Sequence, residues 1–120
     1  MKLAVVGSRG FLDYKKLRNE IIRNFEISDL TEIVSGGANG ADSLAEIFSR
    51  EFDKKMTVVV PNWNRYGKSA GMIRNRTIID CADCVIAFWD GKSKGTKNSI
   101  DLAKKQNKPV IVIDVLKDFA

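Results

Sequence analysis

A glycine-rich turn in the first half of the chain separates a short apolar strand from an amphipathic helix. The segment Val34–Asp42 has the sequence VSGGANGAD. The short stretch that leads into its glycines, 32–35, contains the apolar, β-branched pair Ile33 and Val34, which is typical of a buried strand end. After the glycines, apolar residues recur at the spacing of a helix. They are Ala41, Leu44, Ala45, Phe48 and Phe52. This pattern predicts a strand, a tight turn and a helix that begins directly behind the turn.

Three glycines in this turn suit the approach of an anion. Gly36, Gly37 and Gly40 have no Cβ, so backbone N–H groups can come close to a bound group. The N-terminus of the following helix also favours negative charge. The same glycines fit a tight turn with a purely steric role, and one Gly-x-Gly-type match does not separate the two interpretations. If the turn binds an anion, we expect a phosphate.

The remainder of the chain alternates strands and helices. We predict further strands at 2–7, 56–60, 84–89 and 110–114, and helices from a cap at Asp13 to about residue 26, at 41–52, at 72–81 and from about 96 to 106. Residues 62–71 have no period and are predicted to form a long functional loop. Continuous apolar strands that alternate with helices favour an α/β fold. We predict a Rossmann-like three-layer sandwich with a five-stranded, mostly parallel sheet.

Length and composition favour one globular domain. At 120 residues the chain can bury a real core, and its 44% apolar and 29% charged residues are ordinary for such a domain. No apolar run approaches the roughly 20 residues that span a bilayer, and the N-terminus enters a strand at once. We therefore expect a single domain over 1–120 that is cytoplasmic and has no membrane partner.

Positive charge is concentrated in the second half of the chain. Residues 65–108 contain ten Lys/Arg and four Asp/Glu, whereas the rest of the chain contains ten Lys/Arg and eleven Asp/Glu. Lysines at the end of the last helix are explained by the helix dipole. Arg65, Lys68, Arg74 and Arg76 have no such explanation. They indicate an anionic ligand, either a nucleotide or a nucleic acid.

Several kinds of site are disfavoured by the residue types present. Cys81 and Cys84 have C-x-x-C spacing, but they end a helix and enter a strand, so we expect them to pack in the core rather than form a redox pair. The chain has no histidine, so neither a metal site nor a nucleophile–histidine pair is expected. No Walker-type motif is present, and no cofactor is predicted.

The unusual residues follow several strands and so converge on one rim of the predicted sheet. In doubly wound sheets, ligands bind outside the carboxyl ends of the strands, where the strand order reverses. Convergence of four polar or glycine-rich turns is more specific than any one turn, and it favours a phosphate-bearing ligand. The predicted ligand-binding residues are Gly7, Ser8, Arg9, Gly36, Gly37, Ala38, Gly40, Asp42, Trp63, Tyr66, Arg74, Asn75, Trp89, Asp90, Gly91, Gly95 and Thr96.

Four motifs in this order resemble the SLOG superfamily, and within it the YspA-like branch. They are GSRGF after the first strand, VSGGANGAD after the second, P-x-W-x-x-Y-G-x-x-A-G-x-x-R-N at 61–75 and IAFWDGKSKGT at 86–96. The superfamily includes the LOG phosphoribohydrolases and the DNA-processing Smf/DprA proteins. The resemblance implies a Rossmann-like fold that binds nucleotides, nucleotide-derived molecules or nucleic acid at this rim. For the YspA-like branch it implies a nucleotide-derived ligand and no settled reaction.

One position departs from the pattern of the LOG enzymes. Those enzymes use a glutamate in P-G-G-x-G-T-x-x-E, and Ser99 stands where that glutamate is expected, after a turn that is longer by Lys92 and Ser93. Cleavage of an N-glycosidic bond needs a carboxylate to stabilise positive charge or activate water. The sequence therefore disfavours a hydrolase, although Asp90 or Asp42 could take over the catalytic role.

The other rim residues are given roles by their chemistry. Backbone N–H groups of Ser8, Gly37, Ala38 and Gly40 and the hydroxyls of Ser8 and Thr96 are expected to bind phosphate, neutralised by Arg9 and Arg74. An aromatic residue, Trp63, Tyr66 or Trp89, would stack on a base or close the pocket. Asp42 or Asp90 would accept a ribose hydroxyl, although Asp42 also suits the first turn of a helix.

Three function classes follow from the sequence. The favoured class is a binding module for a nucleotide or a nucleotide-derived, ADP-ribose-like molecule. The second is a nucleotide phosphoribohydrolase, and the third is a DprA-like binder of single-stranded nucleic acid that uses the basic second half and the aromatics. The sequence does not fix the base or the number of phosphates. It also does not fix the oligomeric state, and it is compatible with a homo-oligomer.

Overall fold

The structure is a computed structural model that describes residues 1–116. Its centre is a five-stranded sheet in the order β3-β2-β1-β4-β5. All four strand pairings are parallel. The strands are β1 (Lys2–Gly7), β2 (Glu32–Ser35), β3 (Lys55–Val58), β4 (Cys84–Trp89) and β5 (Val110–Asp114). The predicted α/β, Rossmann-like fold is confirmed.

The helices follow the strands in alternation. They are α1 (Tyr14–Asn24), α2 (Ala41–Glu51), α3 (Trp63–Tyr66), α4 (Ala70–Cys81) and α5 (Lys94–Lys105). Short 3-10 turns lie at Ile27–Asp29 and Gly67–Ser69. Asp13 caps α1 as predicted, since its carboxylate accepts the Lys16 N–H at 3.0 Å. These are the connections that a parallel sheet needs.

Both faces of the sheet are buried, which explains why its strands lack a polar side. In β1, Leu3 and Val5 pack with α1 and α2, whereas Ala4 and Val6 pack with α4 and α5. Strand β4 alternates in the same way between the two core clusters. Successive side chains of a strand point to opposite faces, so a strand covered on both sides must be apolar throughout.

The path of the chain sets the position of a ligand site. It runs outward from β1 to β2 and β3 and then returns to β4 and β5 on the other side of β1. The turns after β1 and β4 therefore lead to opposite faces of the sheet. A crevice opens at this reversal of strand order, at the carboxyl ends of the central strands.

One predicted loop is mostly helical. Residues 62–71 contain α3, a 3-10 turn and the first turn of α4. The Asn62 side chain caps α3 by accepting the Arg65 N–H at 3.1 Å. Segments this short present less than two turns, so they have no apolar period for sequence analysis to detect. The prediction of an irregular loop was wrong, and residues 62–69 of this segment are exposed.

The two cysteines have different environments. Cys84 is buried in β4, and burial, followed by the nearby charge of Asp83, raises the pKa of its thiol. Cys81 is exposed at the end of α4, so the expectation that both cysteines pack in the core was wrong for this one. The last residue of α4 is exposed to solvent, whereas the first residue of β4 is buried in the sheet.

Two glycines let the turns after β1 and β2 pack against their neighbours. A Cβ at Gly7 would lie 2.6 Å from the Cβ of Ala41 and 2.7 Å from the carbonyl oxygen of Phe88. Gly40 has φ +80° and ψ −131°, and a Cβ there would meet the backbone carbonyls of Ser8 and Arg9. The turn after β2 can therefore lie against the turn after β1 only without these side chains.

Replacing Gly40 by alanine is expected to lower the free energy of unfolding by about 2–4 kcal/mol, because a strained φ adds to a clash with backbone that cannot move away. Gly10→Ala is the matched control. A Cβ at Gly10 meets no heavy atom within 4 Å, and its φ is not positive. Its unfolding free energy should stay within about 1 kcal/mol of wild type. Urea denaturation of both variants tests this, and similar losses would contradict the assigned packing.

Candidate functional site

A cleft of about 440 Å³ opens at the carboxyl ends of the central strands. It is formed by the turn after β1, the start of α2, the first half of α4 and the turn that leads into α5. Ten of the residues predicted from sequence line it: Gly7, Ser8, Arg9, Ala38, Asp42, Arg74, Asn75, Asp90, Gly95 and Thr96. Five further residues complete the lining: Val6, Gly10, Ile78, Ser93 and Ser99.

Seven predicted ligand-binding residues do not line this cleft. They are Gly36, Gly37, Gly40, Trp63, Tyr66, Trp89 and Gly91. The glycines of the turn after β2 face protein instead. A Cβ at Gly36 would lie 2.5 Å from Nη1 of Arg74, and one at Gly37 would lie 2.7 Å from Cγ1 of Val58. Here the steric interpretation of the glycine turn fits better than the phosphate interpretation.

Two N–H groups that we expected to bind phosphate already have partners. The Ala38 N–H donates to Oδ2 of Asp42 at 3.1 Å, and the Ser8 N–H donates to the carbonyl of Phe88 at 3.0 Å. A donor engaged inside the protein is not offered to a ligand. These two N–H groups can therefore bind phosphate only if they leave these partners, and their role stays a prediction. The Ser8 hydroxyl does face the cleft region, where its oxygen accepts the Asp90 N–H at 3.2 Å.

Arg74 is held against the turn after β2. Its Nη1 donates to the Gly36 carbonyl at 2.8 Å, and its Nε donates to Oδ1 of Asn75 at 3.0 Å. Burial lowers the pKa of this guanidinium, while the charge of Asp42 raises it and the charge of Arg9 lowers it. Arg74 is thus a fixed, half-buried cation close to a second cation.

Asp42 lies in the first turn of α2 beside that arginine. Burial raises the pKa of its carboxyl, and this is opposed by the Ala38 N–H and by the charge of Arg74. Its oxygen Oδ2 would be 3.1 Å from a Cβ at Gly36, so the carboxylate sits directly against the turn. Asp42 therefore stabilises the turn and the arginine, in addition to lining the cleft.

The N-terminus of α5 also borders the cleft. Ser93 caps this helix: its Oγ accepts the Thr96 N–H at 3.4 Å and lies 3.0 Å from Oγ1 of Thr96. The first turn contains no acidic residue and includes Lys94. Acidic side chains normally offset the positive end of a helix. Here that charge comes from the preceding turn, where the Asp90 carboxylate accepts the Ser93 N–H.

Asp90 forms the turn before α5. Its Oδ1 accepts the N–H groups of Lys92 and Ser93, both at 2.8 Å. These bonds, with a smaller effect from Ser8, lower the pKa of the Asp90 carboxyl. An ionised carboxylate can accept a hydroxyl hydrogen bond, but a lowered pKa makes it a poor general acid.

Ser99 faces the cleft from the second turn of α5. It is buried, and its hydroxyl donates to the Gly95 carbonyl of its own helix at 3.3 Å. The neighbouring Asn75 donates from Nδ2 to Gly95 and Asn98, at 3.4 Å each, and so ties α4 to α5. The structure thus places Ser99 in the cleft with no acidic function of its own.

The three candidate aromatics are elsewhere. Trp63 and Tyr66 on α3 are exposed by 55% and 40%, and the guanidinium of Arg65 lies 5.3 Å from the Tyr66 ring centroid. Trp89 packs against the α4–α5 core and donates its Nε1–H to the Ser93 carbonyl at 3.0 Å. A structural role therefore accounts for Trp89, whereas Trp63 and Tyr66 form a separate exposed patch.

Within residues 1–116, no group of three or more His, Cys, Asp or Glu side chains is arranged to hold a metal ion. Among the same residues, no helix combines the length and apolarity that crossing a bilayer requires.

Solved structures with this fold include two DNA processing proteins. DNA processing protein A (DprA) from Helicobacter pylori, described for its single-stranded DNA binding mode, matches with 26% identity and a TM-score of 0.67, over 93% of this chain and 64% of that one. DprA from Streptococcus pneumoniae matches with 22% identity and a TM-score of 0.74, over 92% and 49%. The chain thus spans about half to two thirds of these proteins.

A third solved structure and one protein sequence are also similar to this chain, whereas no family model matches it. TM1055 matches with 22% identity and a TM-score of 0.67, over 91% of this chain and 71% of that one. The Gene 61 protein of Mycobacterium phage D29 is 35% identical over 85 residues, which cover 66% of this chain and 68% of that protein. The chain therefore belongs to the family of this Gene 61 protein and has the fold of the SLOG superfamily, which includes DprA.

Proposed function

We propose that the chain binds a nucleotide or a nucleotide-derived small molecule in the cleft at the carboxyl ends of β1, β2 and β4. The observation that carries this proposal is the convergence of Arg74, Arg9 and the N-terminus of α5 on one cleft. The cleft volume of about 440 Å³ lies within the range of small-molecule sites, which is roughly 300–1,000 Å³.

The phosphate is assigned to the side of the cleft where positive charge is least compensated. Asp42 offsets one positive charge on this side of the cleft, whereas two arginines line it, and the charge of Arg9 lowers the pKa of Arg74. A phosphate would relieve this repulsion and would also reach the N-terminus of α5, where Gly95 and Thr96 line the cleft.

The sugar is assigned to the carboxylates. Asp90 has a lowered pKa and stays ionised at neutral pH, so it can accept a hydroxyl but repels a phosphate. Ser8 lies beside it and offers a hydroxyl of its own. A ligand with a phosphate at one end and a ribose next to it matches this order of groups. The resemblance to the YspA-like branch favours an ADP-ribose-like member of this class.

Replacement of Arg74 by alanine is expected to weaken nucleotide binding by about 1.5–3 kcal/mol, the range for a charge-assisted hydrogen bond. Arg76→Ala is the matched control, because Arg76 is exposed by 73% on the same helix and pairs only loosely with Asp80, at 4.0 Å. It should change the affinity little. Calorimetric titration with nucleoside monophosphates measures both effects.

The control for folding is the circular dichroism spectrum, because loss of Arg74 also removes the donor to Gly36. Equal losses of affinity at Arg74 and Arg76 would contradict a localised phosphate site. They would indicate diffuse electrostatic attraction instead.

Binding of single-stranded nucleic acid is the second candidate function. The likeness to H. pylori DprA and the exposed aromatic patch of Trp63 and Tyr66 favour it. A steep fall of oligonucleotide affinity with salt concentration, lost in Trp63→Ala, would support this function. Tight mononucleotide binding with a shallow dependence on salt would support the small-molecule function.

Hydrolysis of the nucleotide is not expected. Ser99 supplies no carboxylate, and Oδ1 of Asp90 is already engaged by the N–H groups of Lys92 and Ser93. We predict that neither the wild-type protein nor Asp90→Asn releases free base from nucleoside monophosphates, as followed by chromatography. Base release by wild type that disappears in Asp90→Asn would contradict the binding function and make this a phosphoribohydrolase.

A further inference from the structure

A second cleft adjoins the first on the same rim. Its volume is about 570 Å³, and it is formed by the turn after β1, the start of α1 and the residues that follow β5. The two clefts share Ser8, Gly10 and Asp90, which form the ridge between them. A molecule bound in the first cleft can therefore extend into the second by crossing this ridge.

The ridge is uncovered at Gly10. A Cβ added at Gly10 would meet no heavy atom within 4 Å, so no described side chain stands over this point. In the same shared lining, the Ser8 hydroxyl and the Asp90 carboxylate are groups that hydrogen-bond a sugar. The ridge is thus uncovered at Gly10 and has polar atoms that can hold a ribose.

The second cleft has a different charge from the first. Its charged residues are Lys16, Asp13 and Asp90, so carboxylates outnumber cations. Lys16 donates from Nζ to the Asp114 carbonyl at 3.1 Å, and Asp13 caps α1. A phosphate is therefore disfavoured here, and a neutral group is favoured.

The remaining wall is apolar. Phe11 is buried beneath the cleft, where it stacks on Phe88 with ring centroids 5.1 Å apart. Leu12 and Leu116 line the cleft although they are exposed by 73% and 71%. When a flat apolar group covers exposed apolar side chains on a concave surface, the free energy of the complex is lowered.

We propose that the second cleft binds the nucleobase of the same ligand whose phosphate lies in the first cleft. This inference rests on the proposed function and adds the orientation of the ligand. The phosphate lies between Arg74 and α5, the ribose crosses the ridge at Gly10, and the base contacts Leu12 and Leu116. These leucines, rather than the aromatics of α3, then contribute to recognition of the base, because Trp63 and Tyr66 line neither cleft.

The test compares ribose 5-phosphate with the four common nucleoside 5′-monophosphates in calorimetric titrations. The variant is Leu12→Ser combined with Leu116→Ser, which removes the apolar wall without changing the charge. The matched control is Val60→Ser combined with Met72→Ser, since these side chains are exposed by 70% and 60% and line neither cleft.

In the wild type, at least one monophosphate should bind about tenfold more tightly than ribose 5-phosphate, because covering two side chains adds on the order of 1–2 kcal/mol. The variant should lose this advantage and keep its affinity for ribose 5-phosphate, and the control should keep both. An advantage that survives in the variant, or no advantage in wild type, would overturn the proposal for the base. If neither ribose 5-phosphate nor any monophosphate binds, the proposed function itself fails.

Discussion

The hydrogen bond from Arg74 to the Gly36 carbonyl, at 2.8 Å, is the contact on which the geometry of the site depends. It joins α4, on one face of the sheet, to the turn that begins α2, on the other face. Asp42 lies against the same turn and compensates part of the charge. Because the guanidinium is half-buried and held at two nitrogens, its position is fixed before any ligand arrives. A fixed cation loses little conformational entropy on binding an anion.

Most of the fold could be predicted from the sequence, because burial on both faces leaves a clear pattern. Strands such as Cys84–Trp89 are apolar throughout, and the helices after them have an apolar stripe. The prediction that Asp13 caps the start of α1 is confirmed. The failure at residues 62–71 has a physical cause, since single helical turns carry no period. The exposure of Cys81 likewise depends on where α4 ends, which spacing alone does not fix.

The candidate site could be predicted only in part. Sequence identified the rim, because parallel strands bring their carboxyl ends together, and ten of the predicted residues meet in one cleft. It could not show that the Ala38 and Ser8 N–H groups are engaged, since hydrogen-bond partners are set by tertiary contacts. The leucines of the second cleft were missed for a similar reason. Leu12 and Leu116 are 104 positions apart, and no motif links them.

The central claim, that a phosphate binds between Arg74 and the N-terminus of α5, is tested most directly by following backbone amide resonances during titration with ribose 5-phosphate. We expect saturable shifts at Gly95 and Thr96, because an anion at a helix N-terminus polarises the N–H groups of the first turn. Residues of α3, around Trp63, should not shift. Shifts confined to α3, with Gly95 and Thr96 unchanged at saturation, would contradict the account.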